Sequence, residues 1–298
     1  MSSIYDDLQN NNTVDMTENT AFDKAAWSEK KQAEKQMAYD TIDKTATSLT
    51  LDGGNLQMYL DIQSRLDKYS VGNALLIMAQ NPKATKLKDY DSWKESGGSV
   101  KAKQTGIVIL EPAGEYVKDD GSTAVSYNTK RVFDITQTYT REKAKPQTSN
   151  DERLVLKALI SNCVVPLKVV ESLDTSTMGA FYDDKQKAVL VKKGLSNTDF
   201  FTSVAQELAH ATLAKEGNYS RGQNGLKAYC TAYMLCKKYG IETTSFTFNE
   251  LPSNFKNQDP PQVRETLTDI RNAMTEISDR MSKSFEQSKG TKQKDMER

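Results

Sequence analysis

A short ionisable motif lies inside a long predicted helix in the second half of the chain. The helix is expected over about residues 198–215, and it contains Gln206-Glu207-Leu208-Ala209-His210. Side chains three or four positions apart lie on one face of a helix, so Glu207 and His210 point the same way. Because His210 is the one histidine in the sequence, a site on this face has no second imidazole.

The motif matches a metallopeptidase helix only in part. Such a helix carries two zinc-binding histidines at i and i+4, a glutamate that activates water, and a later helix supplies the third ligand. Here Glu207 stands at the general-base position and His210 at one ligand position, but the first ligand position is Gln206, whose neutral amide oxygen binds zinc poorly. The stretch Ala228–Cys236 of the next predicted helix has no carboxylate. Either the site is degenerate, or Glu207 and His210 are ordinary polar residues of an amphipathic helix.

Charge and cysteine content limit the function classes. Lys+Arg and Asp+Glu both total 40, so strong nucleic-acid binding by the whole chain is disfavoured, although a local basic patch can still act. Cys163, Cys230 and Cys236 are odd in number and have no CxxC spacing, which predicts buried thiols in a reducing compartment. We find no signal-like apolar run and no membrane span, and we expect a cytoplasmic protein without membrane contact.

The pattern of helices and strands predicts an α+β fold with two domains. Helices are expected at about 23–44, from about Leu56 to near Lys68, and after Ser70. Strands are expected at 106–112, where Pro112 ends the strand, and at 131–135. In the second half a helix near 154–159 precedes strands at 166–170 and 188–191 and helices at about 198–215 and 223–239. The expected division is a disordered tail at 1–20, an N-terminal domain at 21–141, a linker at 142–150, a second domain at 151–257, a helix at 258–285 and a polar tail at 286–298.

A lysine cluster with two aromatic residues is the candidate nucleic-acid surface. Between residues 83 and 104, six lysines against three acids leave a net charge of +3. Single-strand binders combine a basic track with aromatic rings on which bases stack. The alternative is that Trp93 lies in the core and the lysines solvate a loop. The candidate residues are Lys83, Lys86, Lys88, Tyr90, Trp93, Lys94, Lys101 and Lys103.

The last predicted helix, from Asp259 onward, carries apolar residues that step by four and three. Such a heptad stripe packs either inside the chain or against a second copy as a homodimer seam. The stripe consists of Val263, Leu267, Ile270, Met274, Ile277 and Met281.

Taken together, many short pieces resemble the ArdC-type antirestriction proteins of plasmids and integrative elements. The resemblance spans roughly residues 56–248. Its N-terminal pieces are Tyr69-Ser70, Asn73, Leu75-Leu76-Ile77, Gln80-Asn81-Pro82, Ala84-Thr85, Trp93, Gly97, Val100, Gly106–Leu110 and Val132–Thr138. Its C-terminal pieces are Gly179–Asp183, Glu207–Ala211 and Ala232–Cys236. The resemblance implies an N-terminal domain that binds single-stranded DNA and a C-terminal zincin-like metallopeptidase scaffold.

The chain departs from that family at the site. The family's first zinc histidine falls on Gln206 and its third-ligand glutamate on Tyr229, which leaves Glu207 as a vestigial base and His210 as a vestigial ligand. The family's basic, glycine-rich loop appears here as Lys103-Gln104-Thr105-Gly106. We expect Glu207 and His210 to serve the structure, paired with each other or with Tyr229.

Three functions follow from these expectations. The first is an antirestriction-like protein of a mobile element, which binds single-stranded DNA weakly and without sequence preference. Its zincin-like domain then needs no metal cofactor and serves as a structural or protein-interaction module. The second is a metallopeptidase with an atypical zinc site and Glu207 as base. The third is a structural or partner-regulating protein that does not bind DNA.

Overall fold

The computed structural model describes residues 24–141, 151–174, 178–217 and 219–296. The predicted disordered tail at 1–20 and the linker at 142–150 lie outside these ranges. The described residues mix helices with three small sheets, as the α+β prediction requires. None of the helices in the described ranges is long and apolar enough to cross a membrane.

Three helices begin the fold: α1 (Lys24–Leu51), α2 (Gly53–Arg65) and α3 (Val71–Gln80). Local capping sets two of the starts. The Asp52 carboxylate accepts from the Gly54 N–H at the start of α2, and the Ser70 hydroxyl accepts from the Asn73 N–H at the start of α3, as predicted. The apolar faces of α2 and α3 are buried, which places them in the core.

A long hairpin and short strands complete the N-terminal half. In order they are β1 (Leu87–Lys88), α4 (Tyr90–Glu95), β2 (Ser99–Val100), β3 (Ile107–Val117), β4 (Thr123–Asp134), a 3-10 turn (Ile135–Gln137) and β5 (Thr138–Tyr139). The prediction that Pro112 ends β3 is wrong. The strand continues past it with a bulge between Pro112 and Gly114. Because β3 lies at a sheet edge, the missing N–H of proline is tolerated there.

The C-terminal half places a sheet beside long helices. Its elements are α5 (Glu152–Ile160), β6 (Leu167–Val170), β7 (Ala180–Asp183), β8 (Ala188–Lys192), α6 (Asn197–Leu213), a 3-10 turn (Ala214–Glu216), α7 (Arg221–Tyr239), α8 (Ser253–Lys256) and α9 (Pro260–Met296). Strand β8 is central, parallel to β6 and antiparallel to β7. Gly240 ends α7 with φ of 73°, the left-handed conformation that glycine adopts easily.

The apolar stripe of α9 packs inside the chain, and the homodimer-seam reading of it is wrong. All six residues of the stripe are buried, because α9 contacts α1, α3, α5, α6 and α7. The helical backbone also continues to Met296 rather than giving way to a tail after Phe285. The polar end is rich in Lys, Gln and Glu, which are good helix formers.

One hydrophobic core contains residues from both halves of the chain. Polar contacts also join the halves: the Tyr233 hydroxyl on α7 donates to Asp61 on α2 at 2.8 Å, and Lys238 pairs with Asp67 at 2.5 Å. The division at 142–150 therefore remains a prediction about folding units. Cys230 and Cys236 are fully buried, as expected, and burial raises the pKa of the Cys236 thiol to about 12. Cys163 is only partly buried, which departs from the expectation of three buried thiols.

Candidate functional site

The helix α6 places Glu207 and His210 on its buried face. Its start is capped by Ser196, whose hydroxyl accepts from the Asp199 N–H. Only 3% of Glu207 and 1% of His210 are exposed. Strand β7 contacts this helix, and the chain just before the strand approaches it so closely that an added Cβ at Gly179 would clash with the Ser203 hydroxyl oxygen. The two ionisable side chains are thus held between α6, β7 and the start of α7.

The carboxylate of Glu207 accepts three hydrogen bonds. The Arg221 guanidinium donates from Nη1 to Oε2 and from Nη2 to Oε1, both at 2.8 Å, in a bidentate ion pair. The backbone N–H of Tyr182 on β7 also donates to Oε2 at 2.7 Å. Arg221 additionally lies over the Phe181 ring, with its Cζ 4.6 Å from the ring centroid. Burial opposes the charge of Arg221, but the pair with Glu207 raises the pKa of Arg221 above its ordinary value.

The imidazole of His210 has a different partner. Its Nδ1 lies 3.1 Å from the Tyr219 hydroxyl, and the two rings meet edge to face at 6.0 Å. Burial, together with the positive charge of Arg221, lowers the pKa of His210 to about 3. Burial also raises the pKa of Tyr219. Both groups are therefore neutral at neutral pH.

The expected pairing of Glu207 and His210 with each other or with Tyr229 is wrong. The Tyr229 hydroxyl accepts from the Thr247 N–H at 2.7 Å and donates to the Thr247 carbonyl at 3.2 Å. Its ring packs against Phe246 and Phe248, with centroid distances of 4.9 and 5.6 Å. Tyr229 belongs to a separate aromatic cluster because the loop after α7 folds back onto that helix.

Sequence reasoning missed the three residues that do complete the site: Tyr182, Tyr219 and Arg221. One signal for Arg221 was present. It opens helix α7, where the positive end of the helix dipole disfavours a cation, so an arginine there needs a nearby anion. Neither tyrosine has a comparable local signal.

These residues do not fit a catalytic zinc ion. Gln206 is partly buried and offers only an amide, while the Tyr229 hydroxyl is committed to Thr247. In the described ranges, His, Cys, Asp and Glu side chains form no group of three that could hold a metal. Glu207 accepts three hydrogen bonds, so it is poorly placed to take a proton from water.

Trp93 of the candidate DNA surface belongs to the core, which corrects its assignment as a stacking platform. Its side chain is 0% exposed, and its indole Nε1–H donates to the Phe133 carbonyl at 2.8 Å. An indole that is buried with its one donor satisfied has no face left for a base. The alternative reading, Trp93 in the core, is the one that the structure supports.

The other candidates lie near the surface but are spread over several elements. Tyr90 is 59% exposed at the start of α4. Asp89 pairs with Lys130 at 2.8 Å, and the hydrogen bonds from Lys130 and Ser92 lower the pKa of Asp89 to about 2. The exposed lysines are Lys83, Lys94 and Lys103, and the partly buried ones are Lys86, Lys88 and Lys101.

A second aromatic residue, absent from the sequence prediction, lies beside Lys101. Tyr139 is 68% exposed on β5, and the Lys101 ammonium lies 5.6 Å from its ring centroid. Lys101 is oriented by a hydrogen bond of 2.8 Å to the Thr136 carbonyl. An open depression surrounds the pair, and we call it the Tyr139 surface; it is lined by Gly97, Lys101, Thr138, Tyr139, Thr140 and Arg141.

The backbone under the Tyr139 surface is held by a buried carboxylate. Asp134 accepts from the N–H groups of Thr85 and Lys86 at 2.7 and 3.0 Å, and from the Thr136 N–H and hydroxyl at 3.0 and 2.7 Å. These bonds lower the pKa of Asp134 although burial opposes them. The turn that carries Thr136 and leads into β5 is therefore firmly placed.

Comparison with known proteins identifies the fold. No family model and no curated protein sequence matches the chain. Among solved structures, the metal-free antirestriction protein ArdC from plasmid R388 matches with a TM-score of 0.50 and 15% identity, over 72% of this chain and 86% of ArdC. The chain has the ArdC fold. The Mn(II)-bound structure of ArdC matches with a TM-score of 0.48 and 14% identity, over 75% of this chain and 97% of that one.

The ArdC resemblance of the sequence is thus confirmed at the level of the fold. At 15% identity, the similarity to ArdC does not show that this chain has a peptidase site or a DNA-binding surface. Those assignments depend on the residues described above.

Proposed function

We propose that this chain is an antirestriction-like protein of a mobile element. In this proposal it binds single-stranded DNA weakly and without sequence preference through its N-terminal half. Its zincin-like half is a structural or protein-interaction module that does not hydrolyse peptides. The free cysteines fit action in a reducing cytoplasm. The antirestriction part is supported by the ArdC fold, and the rest by the two regions described above.

The single observation that carries the DNA proposal is the Tyr139 surface. An exposed aromatic ring offers a face to any base, and stacking contributes about 1–3 kcal/mol per base with little dependence on sequence. The ammonium of Lys101 beside the ring can contact a backbone phosphate, and Arg141 lines the same depression. Tyr90 supplies another exposed ring in the same half.

Weak binding is expected because the positive charge is modest. The window from 83 to 104 has a net charge of +3, and the whole chain is neutral. Affinity for single strands then depends on a few phosphate contacts and should fall as salt rises. We expect micromolar affinity at physiological salt.

The contacts of Glu207 account for the proposed absence of hydrolysis. A general base needs a free lone pair directed at a water molecule that a metal has activated. Here the bidentate pair with Arg221 and the Tyr182 N–H use three of about four acceptor sites of the carboxylate, and the guanidinium lies on its solvent side. The first and third ligand positions, Gln206 and Tyr229, offer an amide and a committed hydroxyl.

Fluorescence anisotropy with a labelled oligonucleotide tests the DNA proposal. We expect saturable binding to a single strand at low salt, weaker binding to a duplex of the same sequence, and a loss of about fivefold or more for Tyr139→Ala. The matched control is Tyr116→Ala, an exposed tyrosine on β3 outside the Tyr139 surface, which should change nothing. If tens of micromolar wild-type protein bind no single strand, the proposal fails and a protein without DNA binding is favoured.

A peptidase assay tests the second half of the proposal. With casein and added zinc, the wild-type protein should release no fragments. Cleavage that disappears in Glu207→Gln would establish the metallopeptidase alternative instead.

A further inference from the structure

We propose that the guanidinium of Arg221 takes the place of a metal cation in this site, supplying the positive charge beside Glu207 and keeping divalent cations out. This role of Arg221 rests on the proposed non-catalytic site: the guanidinium fills the space beside Glu207, so that no ion enters.

The buried charge of Glu207 is balanced by Arg221. A carboxylate that is 3% exposed needs a compensating cation and hydrogen bonds, because burial of an unpaired charge is costly. Arg221 provides both through two contacts of 2.8 Å. The planar guanidinium matches both carboxylate oxygens, as a metal ion bound by a bidentate carboxylate would.

Arg221 also stands between Glu207 and solvent. Arg221 is fixed from two sides, by Glu207 on α6 and by the Phe181 ring on β7. Its side chain is 28% exposed while that of Glu207 is 3% exposed, so the guanidinium covers the carboxylate toward solvent. An ion that approached Glu207 from solvent would first have to displace it.

The neighbouring imidazole lies on the same buried face of α6 as Glu207, to which Arg221 is bound. A divalent cation at His210 would therefore be repelled by the guanidinium, and such repulsion is stronger near a protein than in bulk water. The Tyr219 hydroxyl at 3.1 Å already supplies a neutral partner for the ring.

Zinc titration of paired variants tests the proposal. Gln206→His supplies a second imidazole on α6 with Arg221 in place. The comparison variant adds Glu207→Gln and Arg221→Gln to that change. Removing both charges together leaves no unpaired buried ion, so this variant should fold. Tag-free proteins are titrated with Zn²⁺ by calorimetry, and circular dichroism verifies folding.

We expect the variant without Arg221 to bind zinc at least about tenfold more tightly than Gln206→His alone, because the guanidinium that covers the site toward solvent has been removed while the net charge of the site is unchanged. Adding His210→Gln to the tighter variant should abolish the gain. Equal zinc affinity with and without Arg221, including no binding by either protein, overturns the proposal. Because zinc binding and not cleavage is measured, the result is independent of whether the wild-type protein hydrolyses peptides.

Discussion

Two regions of this molecule use the same pair of groups, a cation over an aromatic ring, with opposite consequences. In the C-terminal half, Arg221 lies 4.6 Å from the Phe181 centroid, and in the N-terminal half, Lys101 lies 5.6 Å from that of Tyr139. The guanidinium of Arg221 is bound by the buried carboxylate of Glu207. The ammonium of Lys101 instead donates to a neutral backbone carbonyl, and the Tyr139 ring beside it is largely exposed. The comparison teaches that the buried anion, more than the cation–aromatic pair, decides whether such a pair serves the structure or is open to a ligand.

The largest expected effect is on stability, from loss of the buried ion pair between Arg221 and Glu207. Arg221→Ala should lower the free energy of unfolding by about 3–5 kcal/mol, because it leaves Glu207 charged, buried and unpaired. Urea denaturation measures this. The control is Lys215→Ala, whose partner Glu276 is at the surface and whose loss should cost less than about 1 kcal/mol. Similar costs for the two variants would remove the basis for calling the Arg221 pair structural.

The pH dependence of stability tests the burial of His210, which lies in the same site as Arg221 and Glu207. His210 has a folded-state pKa of about 3, below the unfolded value of about 6.5, so the unfolded state binds the proton first as pH falls. Its stabilisation is complete above about pH 6.5 and is lost as pH falls toward 3. Between about pH 7.5 and 5 the free energy of unfolding should fall by about 2 kcal/mol.

The matched control for that titration is His210→Gln, which carries no titratable ring. With a chelator present in both samples, the variant should lose about 2 kcal/mol less than the wild type over the same pH interval. Parallel stability curves would mean that His210 is accessible to protons in the folded protein.

A Trp93 variant distinguishes a role in the core from a role in DNA binding. Trp93→Phe should cost about 1–2 kcal/mol, because the Phe133 carbonyl loses its indole donor in a buried setting. Affinity for single-stranded DNA should remain within about twofold of wild type, since the indole has no exposed face. A folded Trp93→Phe protein that no longer binds DNA would show that the ring acts on the ligand after all.

The smallest expected effect is on DNA affinity, from loss of Lys101 beside the exposed Tyr139 ring. Lys101→Ala should weaken single-strand binding by less than about 1 kcal/mol and reduce the slope of log affinity against log salt by about 0.7, the value for one phosphate contact. Lys118→Ala, in the loop between β3 and β4, is the matched control and should leave the slope unchanged. An unchanged slope for Lys101→Ala would remove that lysine from the phosphate contacts.

Sequence reasoning worked best where the cause of a structure is local. Ser70 at the start of α3 and Gly240 at the end of α7 act through atoms a few residues away, and both were predicted correctly. The extension of β3 past Pro112 was missed, because it depends on β3 being an edge strand. The fate of the α9 stripe was left open for a similar reason: periodicity shows an apolar face and says nothing of what covers it.

At the candidate site the same division holds. Chemical identity alone makes Gln206 and Tyr229 poor zinc ligands and leaves His210 without a second imidazole, so these points are readable from the sequence. The partners are visible only in three dimensions: Glu207 pairs with Arg221, His210 contacts Tyr219, and Tyr139 is exposed while Trp93 is buried. Such partners meet across separate elements, as Tyr233 and Asp61 do over 172 positions, and no local period encodes which of many side chains will fill the space beside a buried charge.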